Sequence, residues 1–278
     1  MLEDYFTKLN TVVSQVPPVL LLLLVVGFGI YKFWKECNVT RKWNTSVFDM
    51  FFVSLFFGLL GGRASYIISN WQEFNQYIWY WLPYEKYGDQ VFFFRLLPWR
   101  FFRIWDWEIQ IIVMFVSFVI IGILWVLFVK KWKWSHMYTP IFTTAVIMIS
   151  LSFVLIGMFV NSLEWFFQGI ITLLPLLLLT YLQKNIRKRI IGRKEVRILA
   201  VTEIIFLSIS VLYFSFSYIT AEITKLESIS LFVFLGIFII SSIAYIIEVN
   251  KANVTIETLS SLDTISGYEI GKDIRFSK

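Results

Sequence analysis

The stretch "FFGLLGGRASYIIS", residues 56–69, decides how this chain is read. It closes an apolar run that begins near residue 46 and is long enough to cross about 30 Å of hydrocarbon. Near the end of that run it sets Arg63 directly behind Gly61 and Gly62. Charge inside a membrane-spanning segment is costly and marks a functional candidate by default. Glycine weakens a helix but lets a neighbouring backbone or a lipid headgroup come close, and Gly58 adds to the same patch. Two readings stay open. The guanidinium could hold a phosphate through two parallel hydrogen bonds. Alternatively, it could snorkel outward beside a glycine patch that serves only helix packing.

Runs of this kind recur along the chain. Of its 278 residues, 58% are hydrophobic and 19% aromatic, with only 16% charged, and the mean hydropathy is +0.72. A soluble domain could not cover so much apolar surface with so few charges. The composition predicts an all-α polytopic membrane protein. Seven spans are expected, at roughly 17–34, 46–69, 108–130, 137–160, 164–183, 197–219 and 229–248. Residues 1–16 carry Glu3, Asp4 and a single Lys8, which is not a secretory leader pattern, so the first apolar segment is expected to stay as a helix.

The net charge of +6 sits in short connections between apolar helices. That distribution points to orientation and anionic headgroups as the basic residues' task, and away from nucleic acid. Eighteen Lys and Arg fall on one side of the expected spans and six on the other, with Arg63 left over. The positive-inside bias then predicts the N-terminus outside and the C-terminus in the cytoplasm. The seven-helix domain would occupy residues 1–248, followed by a polar cytoplasmic tail at 249–278 with at most a short strand. Between the second and third spans lies an external segment, 70–107, holding sixteen aromatic residues. Pro, Gly and charge interrupt it too often for a crossing, and it is expected to form an amphipathic arm on the outer leaflet.

Few residues offer chemistry. One cysteine, Cys37, and one histidine, His136, exclude a His/Cys metal centre, and no cofactor motif is present. His136 is expected in a cytoplasmic loop. Asp49 and Glu203 are placed near cytoplasmic helix ends, where interfacial solvation or a helix N-terminus accounts for them. Glu108 and Glu164 read as helix-start carboxylates. Asn161, at the outer end of the fourth span, could cap a helix or bind a headgroup. No serine has a His or Lys at a spacing that suggests a nucleophile, so the catalytic residues are unassigned.

Four stretches together resemble the bacterial prolipoprotein diacylglyceryl transferase family. "GGRASY" is similar to the family's Gly-(Gly/Ala)-Arg-x-x-Tyr, through Gly61, Gly62, Arg63 and Tyr66. "PWRFFRIWDW" is similar to its Pro-x-x-x-Phe-Arg-(Ile/Val)-Trp-(Asp/Glu)-Gly-Gly, through Arg103 and Asp106. "LIGMFVN" follows Arg-Ile-Gly-Asn-Phe-Ile-Asn through Gly157, Phe159 and Asn161, and "LESISLFVFL" faintly echoes a later motif. The resemblance implies a multi-pass protein of the bacterial cytoplasmic (inner) membrane. Its partners would be phosphatidylglycerol or another anionic phospholipid, and prolipoprotein signal peptides. Arg63, Gly61, Gly62, Tyr66 and Asn161 would bind the lipid headgroup, with Glu108, Glu164 and Arg103 as weaker candidates.

The departures fall on the chemistry. Ile112 stands where the family has its catalytic histidine, Leu155 where it has an arginine, and Met158 where it has an asparagine. Its late arginine has no counterpart beyond the nearby Lys225. Transfer of a diacylglyceryl group to a cysteine thiol needs help with deprotonation and cations for the departing glycerol phosphate. An isoleucine cannot move a proton, and a leucine cannot hold a phosphate. The implied activity is therefore a divergent or impaired transferase. The alternative is a non-catalytic protein that binds phospholipid or lipoprotein precursor on the same fold.

Overall fold

Lipid offers a backbone no hydrogen-bond partners, so long apolar segments of this chain satisfy their own N–H and C=O groups as helices. The computed structural model describes residues 2–13, 15–16, 18–39, 44–75, 84–87, 89–93, 109–187, 193–219 and 224–266. In chain order the elements are α1 (Leu2–Val13), α2 (Pro18–Val39), α3 (Asn44–Ser69) and α4 (Trp71–Asn75). A hairpin of β1 (Tyr84–Tyr87) and β2 (Gln90–Phe93) follows. Then come α5 (Ile111–Leu124), continued by a π-helical turn over Trp125–Lys130, α6 (Trp134–Val160), α7 (Leu163–Arg187), α8 (Arg193–Ile219) and α9 (Lys225–Ser266).

Among the described residues, six helices are long and apolar enough to cross a membrane. They are Thr45–Ser69, Ile111–Lys130, Trp134–Val160, Leu163–Ile186, Val196–Tyr218 and Lys225–Lys251, and they coincide with the last six expected spans. By length and composition this is a multi-pass membrane protein. The first expected span falls on α2, which is not among the six.

The helices alternate in direction. Gln110 N donates to Gly62 O at 3.1 Å, which joins the end of α3 to the start of α5. At the other end of that pair Lys130 Nζ meets Ser46 Oγ at 3.2 Å. The turn from α6 to α7 and the start of α9 lie at the same end as Arg63. The starts of α6 and α8 lie at the opposite, basic end.

At the centre is α6, with 72% of its most apolar window buried against 22% for α7. It packs on α2, α5, α7, α8 and α9. Its rings form much of the core. Tyr138 stacks on Tyr245 with centroids 4.5 Å apart, Phe142 meets Phe238 at 5.3 Å, and Phe153 stacks on Trp165 at 4.9 Å. The α6–α7 contact is closest at Gly157, where an added Cβ would stand 2.8 Å from the Phe166 Cα.

Several expectations need correction. Residues 2–13 form a helix, α1, whose Phe6 ring lies 5.2 Å from Phe166. Its Asn10 Nδ2 donates to the carbonyls of Met158 and Phe159, at 2.5 and 3.2 Å, capping the C-terminal end of α6. His136 lies on the first turn of α6 and not in a loop. In the tail, α9 continues to Ser266 where a short strand was the most expected. An existing helix extends at one residue's cost per hydrogen bond, without a new nucleus, which offsets the β-branched residues of 254–265. Within the expected arm, Tyr84 pairs with Phe93 and Tyr87 with Gln90 in an antiparallel ladder. The arm also includes α4 (Trp71–Asn75), while its residues 76–83, 88 and 94–107 lie outside the described residues.

The contact at Gly157 is testable. Gly157→Ala should lower stability by about 1–3 kcal/mol, because the obstructing atoms are backbone and cannot rotate away. Gly236→Ala, which has open space around its Cβ, should leave stability unchanged or raise it by about 0.4–1 kcal/mol. Unfolding in mixed micelles compares the two.

Candidate functional site

The glycines of "GGRASY" are used by a neighbouring helix. Added Cβ atoms would meet Met114 O at 2.8 Å from Gly58 and Ser117 Oγ at 2.5 Å from Gly61. From Gly62 the nearest atoms are Ile109 Cγ2 at 2.7 Å, Met114 Cβ at 2.9 Å and Gln110 O at 3.0 Å. Small residues let two helices close to this distance in lipid. Gly61 and Gly62 therefore lie against Ser117 of α5 and the Ile109–Gln110 segment that leads into it.

That closeness determines the setting of Arg63. Its side chain is wholly buried, at 0% exposure, so the snorkelling reading does not hold. The guanidinium lies 5.9 Å from the Tyr66 ring centroid and 5.7 Å from that of Phe74. Both distances suit a cation over an aromatic face, an interaction that strengthens where water is excluded. The short helix α4 makes this possible. It folds over the last turn of α3, with Phe74 N donating to Asn70 O at 3.4 Å. Tyr66 and Phe74 then meet edge to face at 6.3 Å.

Beside the same two turns of α3 sits Gln110, 5% exposed. Its Nε2 reaches Ser69 Oγ at 2.9 Å and Thr224 Oγ1 at 3.2 Å. Among the described residues, its Oε1 is buried with no hydrogen-bond partner. Thr224 also begins α9. It exchanges hydrogen bonds with Glu227, through Thr224 N to Glu227 Oε2 at 3.1 Å and Glu227 N to Thr224 Oγ1 at 3.3 Å. This capping box satisfies two otherwise orphaned donors. Tyr218, at the end of α8, donates to Glu227 Oε1 at 3.3 Å. Ends of α3, α5, α8 and α9 thus meet through one polar chain. Sequence reading missed it, although Thr-x-x-Glu ahead of an apolar run at 224–227 was a legible signal.

The other expected site residues are not drawn into this cluster. Asn161 is exposed at the end of α6 with φ 60° and ψ 37°, and its N–H donates to Gly157 O. It terminates the helix in the left-handed conformation that Asn tolerates. Glu164 is exposed on the first turn of α7, 3.4 Å from Gln168 Nε2. Arg103 and Glu108 lie outside the described residues. Ile112, at the position where the resemblance has a histidine, is buried in the apolar core at 1% exposure.

A second polar cluster lies at the basic end and was not expected. Glu203 is 3% exposed, which corrects the reading of an interfacial carboxylate. Its Oε1 accepts from Gln183 Nε2 at 2.7 Å. Its Oε2 accepts from Thr139 Oγ1 at 2.7 Å and from Tyr245 Oη at 2.8 Å. Asp49, by contrast, is exposed on α3.

No family model, no curated protein and no solved structure matches this chain. The residues themselves carry the argument from here. Thr224→Ala removes the cap and a partner of Gln110 together. It should cost about 0.5–2 kcal/mol, read as a lower unfolding midpoint. Thr224→Ser should retain most of the stability.

Proposed function

We propose that this chain is a seven-helix membrane protein similar to the diacylglyceryl transferases, with its N-terminus outside a bacterial cytoplasmic membrane and its C-terminus within the cytoplasm. It binds phosphatidylglycerol, or another anionic phospholipid, near Arg63 and does not carry out the transfer. Prolipoprotein signal peptides are the second partner that the resemblance implies.

The observation that carries the reading is the enclosed guanidinium at the end of α3. Arg63 is held away from solvent by Tyr66 and Phe74. A guanidinium is planar and carries a fork of donors whose geometry matches phosphate oxygens. Gln110 adds a carboxamide with one end unpartnered among the described residues. That end is the carbonyl Oε1, which can accept a hydrogen bond from a headgroup hydroxyl. Loss of transfer is supported by Ile112 and Leu155, since neither side chain can move a proton or stabilise an oxyanion.

Counting α2 as the first span rests on its own geometry. Its 22 residues reach about 33 Å at 1.5 Å per residue. Lys32 Nζ pairs with Glu36 Oε1 at 3.0 Å, and both residues are buried, so this pair is turned toward protein, while Lys35 is exposed. Pairing of this kind makes an ionisable residue tolerable at membrane depth.

Lipid retention tests the binding. Wild-type protein purified in mild detergent should carry phosphatidylglycerol in preference to zwitterionic lipid, measured by mass spectrometry of extracted lipid. Arg63→Ala should lose that enrichment, and Arg63→Lys should keep part of it by preserving charge without the fork of donors. Equal enrichment in wild type and Arg63→Ala would overturn the assignment. The chain should also fail to sustain a transferase-depleted bacterium. Thioether formation on a lipobox peptide in vitro would overturn the non-catalytic reading and leave the lipid site standing.

A further inference from the structure

The Glu203 cluster does something that a lipid-headgroup site at the other end does not need. Four helices converge on one carboxylate: Thr139 from α6, Gln183 from α7, Glu203 from α8 and Tyr245 from α9. Donor-to-oxygen distances of 2.7 to 2.8 Å place three oxygen-bearing side chains in direct contact with it. A second layer follows, with Tyr138 Oη 2.7 Å from Ser242 Oγ and the Tyr138 ring stacked on Tyr245. Thr143 Oγ1 donates to the Thr139 carbonyl, and Pro140, next in the chain, cannot supply the usual helix hydrogen bond.

Two more buried hydroxyls belong to the same helices: Ser210, two turns beyond Glu203 on α8, and Thr144, five residues after Thr139 on α6. Both are 0% exposed. Among the described residues, neither hydroxyl has a hydrogen-bond partner. Buried hydroxyls are rarely left in that state unless something polar visits them.

We propose that Glu203, Thr139, Gln183 and Tyr245 form a binding site for a partly dehydrated monovalent metal cation of the sodium class. Each of the three hydrogen-bonding groups also bears an oxygen. The hydroxyls of Thr139 and Tyr245 can turn their lone pairs, and the Gln183 carboxamide can present its Oε1, without backbone movement. The result is an all-oxygen shell of the kind hard cations take. One carboxylate among neutral oxygens matches a single positive charge, whereas calcium sites gather several carboxylates. Ionisable residues within spanning helices commonly mark ion sites and pathways.

Thermal unfolding of the full chain in detergent tests this. The midpoint is followed against sodium, lithium and potassium chloride, with choline chloride holding ionic strength constant. Wild type should show a saturable rise with sodium or lithium over choline. Glu203→Gln should abolish it, Thr139→Val should weaken the apparent affinity about tenfold, and Thr139→Ser should keep it. Tyr245→Phe and Thr139→Val carry the test if Glu203→Gln fails to fold. The site is overturned by an equal response to all salts in wild type, or by an unchanged sodium response in the variants. A response to acidification alone also overturns it, and assigns Glu203 to a proton. Arg63→Ala should leave the cation response intact.

Discussion

The Arg63 end of this protein depends on how closely α3 can approach α5. Hydrocarbon gives two helices little reason to associate beyond packing and the hydrogen bonds they share. Three positions without a Cβ, Gly58, Gly61 and Gly62, bring the α3 backbone against Met114, Ser117 and Gln110 of the facing segment. The approach permits an inter-helix hydrogen bond, from Gln110 N to Gly62 O, at the point where α5 begins. It also sets the Gln110 side chain against Ser69 and Thr224. Bulk at any of the three would lift α5 away and separate the start of α9 from the end of α3. The arginine beside the glycines inherits a fixed position from that packing.

Much of the fold was legible because solvent dictates it. Segments that must satisfy their own backbone in lipid are long, apolar and bounded by charge, so six of the expected spans fall on helices with nearly the expected limits. Contacts between distant residues were less legible. The helix α1 is short and half polar, and its position depends on Phe6 meeting Phe166 and Asn10 meeting the end of α6. Hydropathy along the chain contains neither fact. The C-terminal helix was missed for another reason, since local β-branched residues suggested a strand while the preceding span had already met the cost of helix nucleation.

The candidate sites divide along the same line. Arg63 stood out because arginine in an apolar run is rare, and no structure is needed to see that. Its partners Tyr66 and Phe74 are different in kind. Tyr66 is one helical turn away, whereas Phe74 arrives only because α4 folds back. Glu203 was underrated because counting residues from a helix end measures depth and says nothing of which face is enclosed. Seven residues inside the span Val196–Tyr218 it lies about 10 Å from the end. That is compatible with interfacial water on one face and with complete burial on another. Thr139, Gln183 and Tyr245 decide the matter, and they come from three other helices.

The two polar clusters stand on one helix, which relates them physically. Glu203 and Tyr218 both belong to α8, and Tyr218 joins the polar chain at the Arg63 end through Glu227 and Thr224 to Gln110. Fifteen residues of helix separate them, about 22 Å along the axis. The buried face between them is mostly apolar, through Leu207, Val211 and Phe214, with Phe214 packed on Phe153 at 5.5 Å. Ser210 and Ser215 are the polar breaks in that stretch. A helix whose two ends are each tied into a hydrogen-bonded cluster moves as a rod if it moves at all. A shift of α8 that loosens Tyr218 from Glu227 would also reach the oxygen atoms around Glu203. The arrangement therefore anchors one helix in both clusters, at the Arg63 end through Tyr218 and at the basic end through Glu203.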